Sequence, residues 1–334
     1  MYNSLLRRFG AGNDGSSNGS GVHVYQPLIL PTPRMPNIIG TLNSYIIYKG
    51  IKKIINEYRI ERPVVWTRVA TRISWGAIKR ISPKTLVYQV VDDFPNNPFI
   101  PESIREQHSR YVEKFSSEAD VIFASARGLK EKKAEYSDNI HFMPNGVDVE
   151  WFKQQSSKKS SFLSEIPSPR LGFVGTIRPE VDLMTLKEVA ERRPQWSIVM
   201  IGPIAEFADD KGLSDLPNVY FIGKVDHELM PSYISEFDIG LIPYHVNKFT
   251  EYTFPSKLAE YLASGVPVLA SSLPELKYYD EAVEVYSSVS EFICLADKTL
   301  SSSKGFYDVD SVLEELSWRN IVERMTDVLE SEVD

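Results

Sequence analysis

The sequence contains a single cysteine, Cys294, among its 334 residues. One thiol cannot form an intramolecular disulfide or a cysteine-rich metal site, and low cysteine usage favours a reducing compartment. The five histidines show no metal-binding spacing such as His-Glu-x-x-His, so no metal site is expected. No apolar run approaches the ~20 residues that a membrane-spanning helix needs, and no signal-peptide pattern follows Met1. These absences predict a cytoplasmic protein.

Charge is distributed unevenly along the chain. Residues 1–166 carry a net charge of +7 and residues 167–334 a net charge of −15. A pI of about 5.4, without a basic stripe interleaved with aromatics, argues against nucleic acid as the main partner. The basic half is instead suited to contact with an anionic surface, such as the inner face of the plasma membrane.

Pro36–Arg59, within the basic half, has the pattern of an amphipathic helix. One interpretation is an ordinary domain helix that packs on a sheet. The other is a basic helix that lies on anionic lipid through Lys49, Lys52 and Lys53. Both hold if the isoleucines face the sheet while the lysines face lipid.

Short β-branched runs alternate with helical patterns along most of the chain. Runs that are apolar throughout and separated by helices predict parallel strands covered on both faces. We therefore predict an α/β protein with two doubly wound Rossmann-like domains that face a cleft, where ligands bind beyond the carboxyl ends of the strands. The predicted strands are Val22–Gln26, Val64–Thr67, Thr85–Val91, Val121–Ala124, Ile140–Met143, Leu171–Val174, Ser197–Ile201, Val219–Ile222, Ile239–Ile242, Val266–Ala270 and Val283–Tyr286.

Two stretches contain no predicted strand or helix. Residues 10–21 are rich in glycine and serine, which predicts a flexible segment over residues 1–21. Matches to a dinucleotide fingerprint and a nucleophile elbow occur there, but neither has the flanking strand and helix that its chemistry needs. Lys153–Pro169, rich in serine, lysine and proline, is predicted to be the linker between the two domains.

The most informative stretch runs from Thr253 to Ala270. Pro255 suits the first position of a helix of about ten residues that ends before Gly265. Its amino end would suit a phosphate group, and Lys257 would add its charge. Glu260, one turn further, could accept hydrogen bonds from the two hydroxyls of a ribose, so the stretch predicts a site for a nucleoside diphosphate. On this helix Leu258, Tyr261 and Leu262 form the buried face, and Ser256, Lys257 and Glu260 lie on an adjacent one.

An ordered set of motifs over about residues 22–330 resembles the GT-B glycosyltransferases, in the family 4-like group of bacterial polysaccharide-assembly enzymes. The motifs are Tyr88-Gln-Val-Val-Asp-Asp-Phe94, Pro144-Asn-Gly-Val-Asp148, Gly172-Phe-Val-Gly-Thr176, Asn218-Val-Tyr-Phe-Ile-Gly223, Glu236-Phe-Asp-Ile-Gly-Leu-Ile-Pro243, Pro255–Ala270 and Ser317-Trp318. Single motifs are weak indicators, whereas the ordered set is a strong one.

The resemblance implies a metal-independent, hexosyltransferase-type enzyme without a cofactor. It would move a sugar from a UDP- or GDP-linked donor to a hydroxyl of a glycan or lipid-linked glycan acceptor in bacterial surface or exopolysaccharide assembly. Residues 22–165 would form the acceptor side, residues 166–310 would bind the donor, and residues 311–334 would cross back to the first domain. A GT-B nucleotide-sugar 2-epimerase and a non-catalytic nucleotide-sugar-binding partner subunit remain as alternatives.

The resemblance also assigns donor-binding residues. Glu260 matches the family's ribose-binding glutamate, and Gly175 matches the glycine that approaches the donor phosphates. Gly223, Lys224 and Val225 match the family's loop whose backbone faces the nucleobase.

Three features depart from the family pattern. A usual glutamate falls on Tyr252, with Glu251 one place away. Thr176 stands where an arginine usually binds the pyrophosphate, which leaves Arg178 and Lys257 as candidates for that role. The family's opening strand and glycine turn do not follow Met1, so either the sheet is completed differently or the first βα unit is missing.

Asp92 and Asp93 follow an apolar strand at the edge where the cleft is expected. They are candidates for a catalytic base that acts on the acceptor hydroxyl, or for carboxylates that hold substrate hydroxyls. The alternative is a structural pair that caps the following segment. His245 likewise is either a ligand contact or an ordinary loop histidine.

Overall fold

The computed structural model describes residues 25–30, 37–158, 161–206, 208–302 and 309–333. The predicted flexible segment 1–21 lies outside these residues. The helices are α1 (Asn37–Glu57), α2 (Arg72–Ile81), α3 (Glu102–Glu118), α4 (Arg127–Lys133), α5 (Val149–Ser156), α6 (Leu183–Arg192), α7 (Met230–Ile234), α8 (Lys257–Ala263), α9 (Val289–Ser301), α10 (Asp310–Glu315) and α11 (Trp318–Val333). The strands are β1 (Val64–Thr67), β2 (Thr85–Val90), β3 (Val121–Ala124), β4 (Ile140–Phe142), β5 (Arg170–Val174), β6 (Ser197–Ile201), β7 (Val219–Gly223), β8 (Ile239–Ile242), β9 (Val268–Ser271) and β10 (Glu284–Tyr286).

The strands form two parallel sheets, which confirms the predicted α/β fold. The first sheet has the order β1-β2-β3-β4, and the second has the order β10-β9-β8-β5-β6-β7. Strand order in the second sheet reverses between β5 and β8, so the loops that follow these two strands leave the sheet on either side of a crevice. Ligands of doubly wound sheets bind at such a switch point.

Most strand predictions are confirmed. Four have the predicted bounds and six others differ by at most two residues at either end. The prediction of a strand at Val22–Gln26 fails where it can be examined, because Tyr25 and Gln26 are not in a strand. Tyr25 instead packs on α1, where a Cβ atom at Gly50 would lie 2.0 Å from its ring.

Helix α1 packs on α2. The Ser44 hydroxyl donates to the carbonyl of Ile73 at 3.0 Å. Asn43 fixes the preceding segment, since its side-chain oxygen accepts from Leu30 N at 2.9 Å and its amide donates to Leu30 O at 2.8 Å. No helix in the described ranges is both long enough and apolar enough to cross a bilayer.

The predicted linker, Lys153–Pro169, lies between the last strand of the first sheet and the first strand of the second, but it is not without structure. Helix α5 continues to Ser156, and Leu163 is buried in the main hydrophobic core. The backbone N–H of Leu163 also donates to the Glu236 carboxylate at 3.2 Å. Serine and lysine content concealed the helical turn and this apolar anchor at the sequence level.

Side chains from both halves of the chain join the two sheets. Arg127, at the start of α4, donates to Glu275 at 3.3 Å, to the hydroxyl of Tyr279 at 3.1 Å and to Glu315 at 2.8 Å. Helix α11 packs its apolar face, including Ile321, on the first sheet. The residue numbers at which the domains divide remain a prediction.

Candidate active site

Tyr261 anchors helix α8 on the second sheet. Its buried hydroxyl accepts from Val174 N at 2.9 Å and donates to Leu241 O at 3.2 Å, which ties the helix to both β5 and β8. Its ring lies against Gly240, where a Cβ atom would be 2.6 Å away. The predicted buried face of this helix is confirmed, since Leu258, Tyr261 and Leu262 are all buried.

The predicted start of this helix is wrong. Pro255 lies in a tight turn in which Leu258 N donates to the Pro255 carbonyl at 3.0 Å, and α8 begins at Lys257 with seven residues rather than ten. Helix α8 therefore starts two residues later than predicted, with Lys257 in its first turn.

A cavity of about 280 Å³ lies at the switch point, beyond β5 and β8. It brings together five residues that the sequence singled out, Asp92, Gly175, Thr176, Arg178 and Lys257. Asp92 comes from the first sheet and the others from the second, so the cavity spans the cleft. Its remaining lining residues are Glu180, Val181, Tyr244, Phe249, Thr250 and Thr253.

Three glycines form the backbone floor beside this cavity. Gly175 and Gly202 follow β5 and β6, Gly223 is the last residue of β7, and all three have positive φ. Gly175 N donates to Ile201 O, and Gly202 N donates to Gly223 O, each at 2.8 Å. A Cβ atom at Gly202 would lie 2.0 Å from the carbonyl oxygen of Gly175. Gly202, which sequence reasoning missed, is thus required for the close approach of the two loops.

Lys257 lies over this floor. A Cβ atom at Gly175 would be 3.3 Å from Lys257 Cε, and the ammonium is 3.8 Å from the Glu260 carboxylate. Helix α8 thus places the Lys257 cation next to the loop that follows β5, with the Glu260 carboxylate beside it. Arg178, on that loop, adds a second cation to the cavity.

Asp92 has a strongly perturbed environment. Burial raises its pKa to about 6, with further increases from Glu180 and Asp93, while Arg68 and Arg178 lower it. Arg68 follows β1 at the same sheet edge. A carboxyl group with this pKa is largely ionised at neutral pH and can still exchange a proton with substrate.

Asp93 faces a different environment. It is 2% exposed, and its carboxylate accepts from Lys132 and from the Asn96 amide, each at 2.6 Å. It lines a separate cavity rather than the one that contains Asp92. Two neighbouring aspartates thus have separate partners, and only Asp92 faces the other candidate site residues.

Tyr244 lines the cavity and lies close enough to Glu260 for that carboxylate to affect its pKa. Burial raises the pKa of this phenol to about 12, with smaller contributions from Glu260 and Glu180. The phenol therefore remains protonated at neutral pH and can act as a hydrogen-bond donor.

Two buried oxygen atoms at the cavity have no hydrogen-bond partner within the described part of the chain. They are Glu180 Oε2 and Thr253 Oγ1. Since buried polar groups are nearly always paired in native proteins, such atoms mark a place where ligand or water completes the bonding. A carboxylate can only accept, whereas a hydroxyl can accept or donate.

The remaining predicted donor-binding residues, Glu260 among them, do not line this cavity. Gly223 ends β7, and exposed Lys224 and half-buried Val225 follow it. Ser256 immediately precedes α8. Tyr252 packs on Gly128 of the first half and under Lys132, whose ammonium is 4.7 Å from its ring.

His245 belongs to a neighbouring cavity of about 270 Å³ that Arg178 also lines. The histidine backbone N–H donates to Glu180 O at 2.9 Å, and its ring nitrogen is 3.7 Å from the Asp182 carboxylate. The backbone hydrogen bond joins the loops after β5 and β8. His245 thus stabilises the walls of the candidate active site.

Glu180, Tyr244, Thr253 and Arg68 were all missed from sequence. They match no short motif, but each follows a strand or precedes α8 on the cleft side. The rule that ligands meet the carboxyl ends of parallel strands could have drawn attention to Arg68 and Tyr244.

Comparison with known structures shows the GT-B fold. The chain superimposes on sucrose-phosphate synthase from Thermosynechococcus elongatus with a TM-score of 0.75, at 14% identity over 96% of this chain and 86% of that one. The Anabaena HepE structure with UDP and glucose matches at a TM-score of 0.72 and 13% identity, over 99% of this chain and 89% of HepE.

Sequence comparison identifies the domain that carries the cavity. Residues 168–292 match the model of the family glycosyl transferases group 1, and most residues that line the cavity lie within this range. The chain is also 33% identical over 197 residues to the Bacillus subtilis protein named as a putative teichuronic acid biosynthesis glycosyltransferase, TuaH. That alignment covers 55% of this chain and 49% of TuaH, so the chain spans about half the length of this curated relative.

Proposed function

We propose that the protein is a glycosyltransferase that transfers a sugar from a nucleotide-sugar donor to a hydroxyl of a glycan or lipid-linked glycan acceptor. The observation that carries this proposal is the cavity at the switch point, which joins Asp92 of the first sheet to Arg178 and Lys257 of the second. The group 1 domain supports the same reaction class. The name of the Bacillus relative supports a role in bacterial surface-polysaccharide assembly.

The donor diphosphate binds beside Gly175 and between Arg178 and Lys257. Two cations next to a glycine-rich loop suit a phosphate pair, because the missing side chain lets the ligand approach the backbone. Glu260 accepts from the ribose hydroxyls. A UDP-linked donor has support from HepE, whose structures contain UDP, UDP with glucose or UDP-glucose.

The donor sugar occupies the space bounded by Glu180 and Thr253. A sugar hydroxyl donates to Glu180 Oε2, and another pairs with Thr253 Oγ1, which completes the bonding of both buried atoms. The family's usual glutamate falls here on Tyr252, and neither Tyr252 nor exposed Glu251 lines the cavity. Glu180 supplies a carboxylate to the cavity in their place.

Asp92 contacts the reacting acceptor hydroxyl. The hydroxyl oxygen forms a bond to the anomeric carbon of the donor while the bond from that carbon to the diphosphate oxygen breaks. The hydroxyl proton passes to the Asp92 carboxylate, and the nucleoside diphosphate leaves with its charge beside Arg178 and Lys257. No residue of the chain is bonded covalently to the sugar.

Product analysis tests the reaction. Purified protein is incubated with UDP- or GDP-sugars and a lipid-linked or free glycan fraction, and the products are separated by mass spectrometry and NMR. A new glycoside together with free nucleoside diphosphate supports the proposal. An epimerised donor without acceptor would instead support the 2-epimerase alternative, and donor binding without any product would support the non-catalytic subunit.

Among the described residues, no cluster of three or more His, Cys, Asp or Glu side chains could hold a metal ion, and the proposed metal independence is tested by turnover in excess chelator.

The same protein is proposed to act in the cytoplasm against the inner face of the membrane. Helix α1 has an exposed stripe with Ile38, Leu42 and Tyr45 at one end and Lys49, Lys52 and Lys53 at the other. Apolar side chains can enter the lipid interface while lysines contact anionic headgroups, at about 1 kcal/mol per lysine.

Sedimentation with phosphatidylglycerol vesicles tests this contact. Wild type should sediment at low salt, and a variant with glutamate at positions 49, 52 and 53 should remain in the supernatant. A matched variant with three exposed lysines of the second half replaced by glutamate (Lys211, Lys248 and Lys277) should still sediment. Equal sedimentation of both variants would reject α1 as the contact surface.

A further inference from the structure

A second cavity, of about 350 Å³, lies in the first half of the chain between α3 and α4. Asp93 is part of its lining, while the preceding residue Asp92 lines the candidate active site. The two cavities therefore meet at opposite sides of the segment that follows β2. Nothing in the proposed reaction uses this second cavity.

Lys133 is a buried cation in its lining. The residue is 4% exposed, and its ammonium forms no hydrogen bond or ion pair within the described ranges, although it lies 5.2 Å from the centre of the Tyr136 ring. Burial lowers the pKa of Lys133, and Asp93, Glu135 and Glu113 partly offset this at longer range. A cation held in this way is costly unless a ligand pairs with it.

Arg105, on α3, supplies a second unpaired donor. Its Nε atom is buried and has no hydrogen-bond partner within the described part of the chain. The nearby Asp93 carboxylate is already bonded to Lys132 and Asn96. Two inward donors, one on each helix, thus lack an acceptor in the same cavity.

The outer rim has the opposite charge. Glu102, Glu106, Glu113 and Glu135 also line the cavity, and all four are exposed. Carboxylates accept hydrogen bonds from hydroxyl groups, but they repel a small free anion. The arrangement fits a ligand with an anionic group at one end and hydroxyl groups at the other.

We propose that this cavity binds a sugar unit that carries a carboxylate or phosphate group. The anionic group lies between Lys133 and Arg105, and the sugar hydroxyls donate to the glutamates of the rim. As a subsite for an acidic sugar of the acceptor glycan, the cavity rests on the proposed function. Binding of the sugar itself can be measured without donor and without turnover.

Calorimetric titration of the full chain tests this site. Glucuronate and glucose 6-phosphate distinguish the two anionic groups, and glucose serves as the neutral probe. At least one anionic sugar should bind about 10-fold or more tightly than glucose, and Lys133→Met or Arg105→Gln should remove that difference. Lys130→Met, which changes an exposed lysine of the same helix, should leave it unchanged.

Three results would overturn the site: equal affinity for glucose and both anionic sugars, no saturable binding of either anion at millimolar concentration, or unchanged binding in both the Lys133 and Arg105 variants. Circular dichroism checks that each variant folds, and Lys133→Arg, which keeps the charge, should retain binding. Parallel titrations with UDP and GDP separate the two proposals. Sugar binding without binding of either nucleotide would leave this site standing and reject the donor site.

Discussion

Asp92 and Asp93 are adjacent in the chain, but they line different cavities. Asp93 is closed into an ion pair with Lys132 at 2.6 Å, whereas Asp92 lies beyond the strand end among Arg68, Arg178 and Glu180. The first arrangement stabilises the folded chain. The second raises the energy of an ionised carboxylate and keeps it available to substrate.

Replacement of each aspartate by asparagine should therefore change the free energy of unfolding in opposite directions. The pKa of Asp92 is raised from 3.8 to about 6, so the folded state binds this proton more tightly than the unfolded state does. Stability of the wild type relative to Asp92→Asn then falls as pH rises from about 4 to 6. Above pH 6, Asp92→Asn should be more stable by up to about 3 kcal/mol, measured by urea unfolding at pH 4 and pH 7.5.

Asp93→Asn provides the matched comparison. It removes the partner of Lys132 and leaves a half-buried ammonium, so the free energy of unfolding should fall by about 1–3 kcal/mol at pH 7.5. Stabilisation by this substitution, or destabilisation by Asp92→Asn at the same pH, would contradict the assigned environments.

Turnover should depend on the ionisation of Asp92. If its carboxylate accepts the acceptor proton, kcat/KM rises with pH through about 6, the pKa of this group. Asp92→Asn should lower kcat about 100-fold or more while the donor dissociation constant stays within about threefold. A variant that retains the rising limb of the pH profile would show that another group titrates.

The glycine floor predicts a large difference between two glycine-to-alanine substitutions. Gly202→Ala should destabilise the protein by at least about 2 kcal/mol, because its Cβ would lie 2.0 Å from the Gly175 carbonyl oxygen. Gly223→Ala meets nothing within 4 Å and carries only the strain of a φ of 79°, about 1 kcal/mol. Urea unfolding of both variants checks this, and equal losses would contradict the close packing of the two loops.

Arg127 should be the most important polar contact between the two halves. Arg127→Met leaves Glu275, which is 2% exposed, without its cation, and the free energy of unfolding should fall by about 3 kcal/mol. Glu275→Gln in the same background should restore part of that loss, because the buried group is then neutral. A double variant no more stable than Arg127→Met would indicate that the loss comes from packing on Tyr279 instead.

Strand positions could be predicted well because buried parallel strands are apolar throughout. Four strands have the predicted bounds, and helix α8 buries the predicted face through Tyr261. The start of α8 was placed too early because proline also favours tight turns, which the local sequence does not separate from a first helical turn.

The candidate site was less predictable. Lys257 and Glu260 lie within one motif, so their proximity follows from helical spacing. Glu180 and Thr253 are distant in sequence and meet only because strand order reverses between β5 and β8. Asp93 looked equivalent to Asp92 because the position of Lys132 depends on how α4 packs, which no local pattern encodes.

Binding of UDP and GDP by isothermal titration calorimetry tests the central claim most directly, since it asks whether a nucleoside diphosphate occupies the cavity at the switch point. Wild type should bind one of them with 1:1 stoichiometry. Glu260→Ala and Lys257→Ala should each weaken binding about 10- to 150-fold, while Lys248→Ala, an exposed lysine on the nearby loop, should not change it. Absence of binding to both nucleotides, or equal affinity in the folded Glu260 and Lys257 variants, would contradict this account.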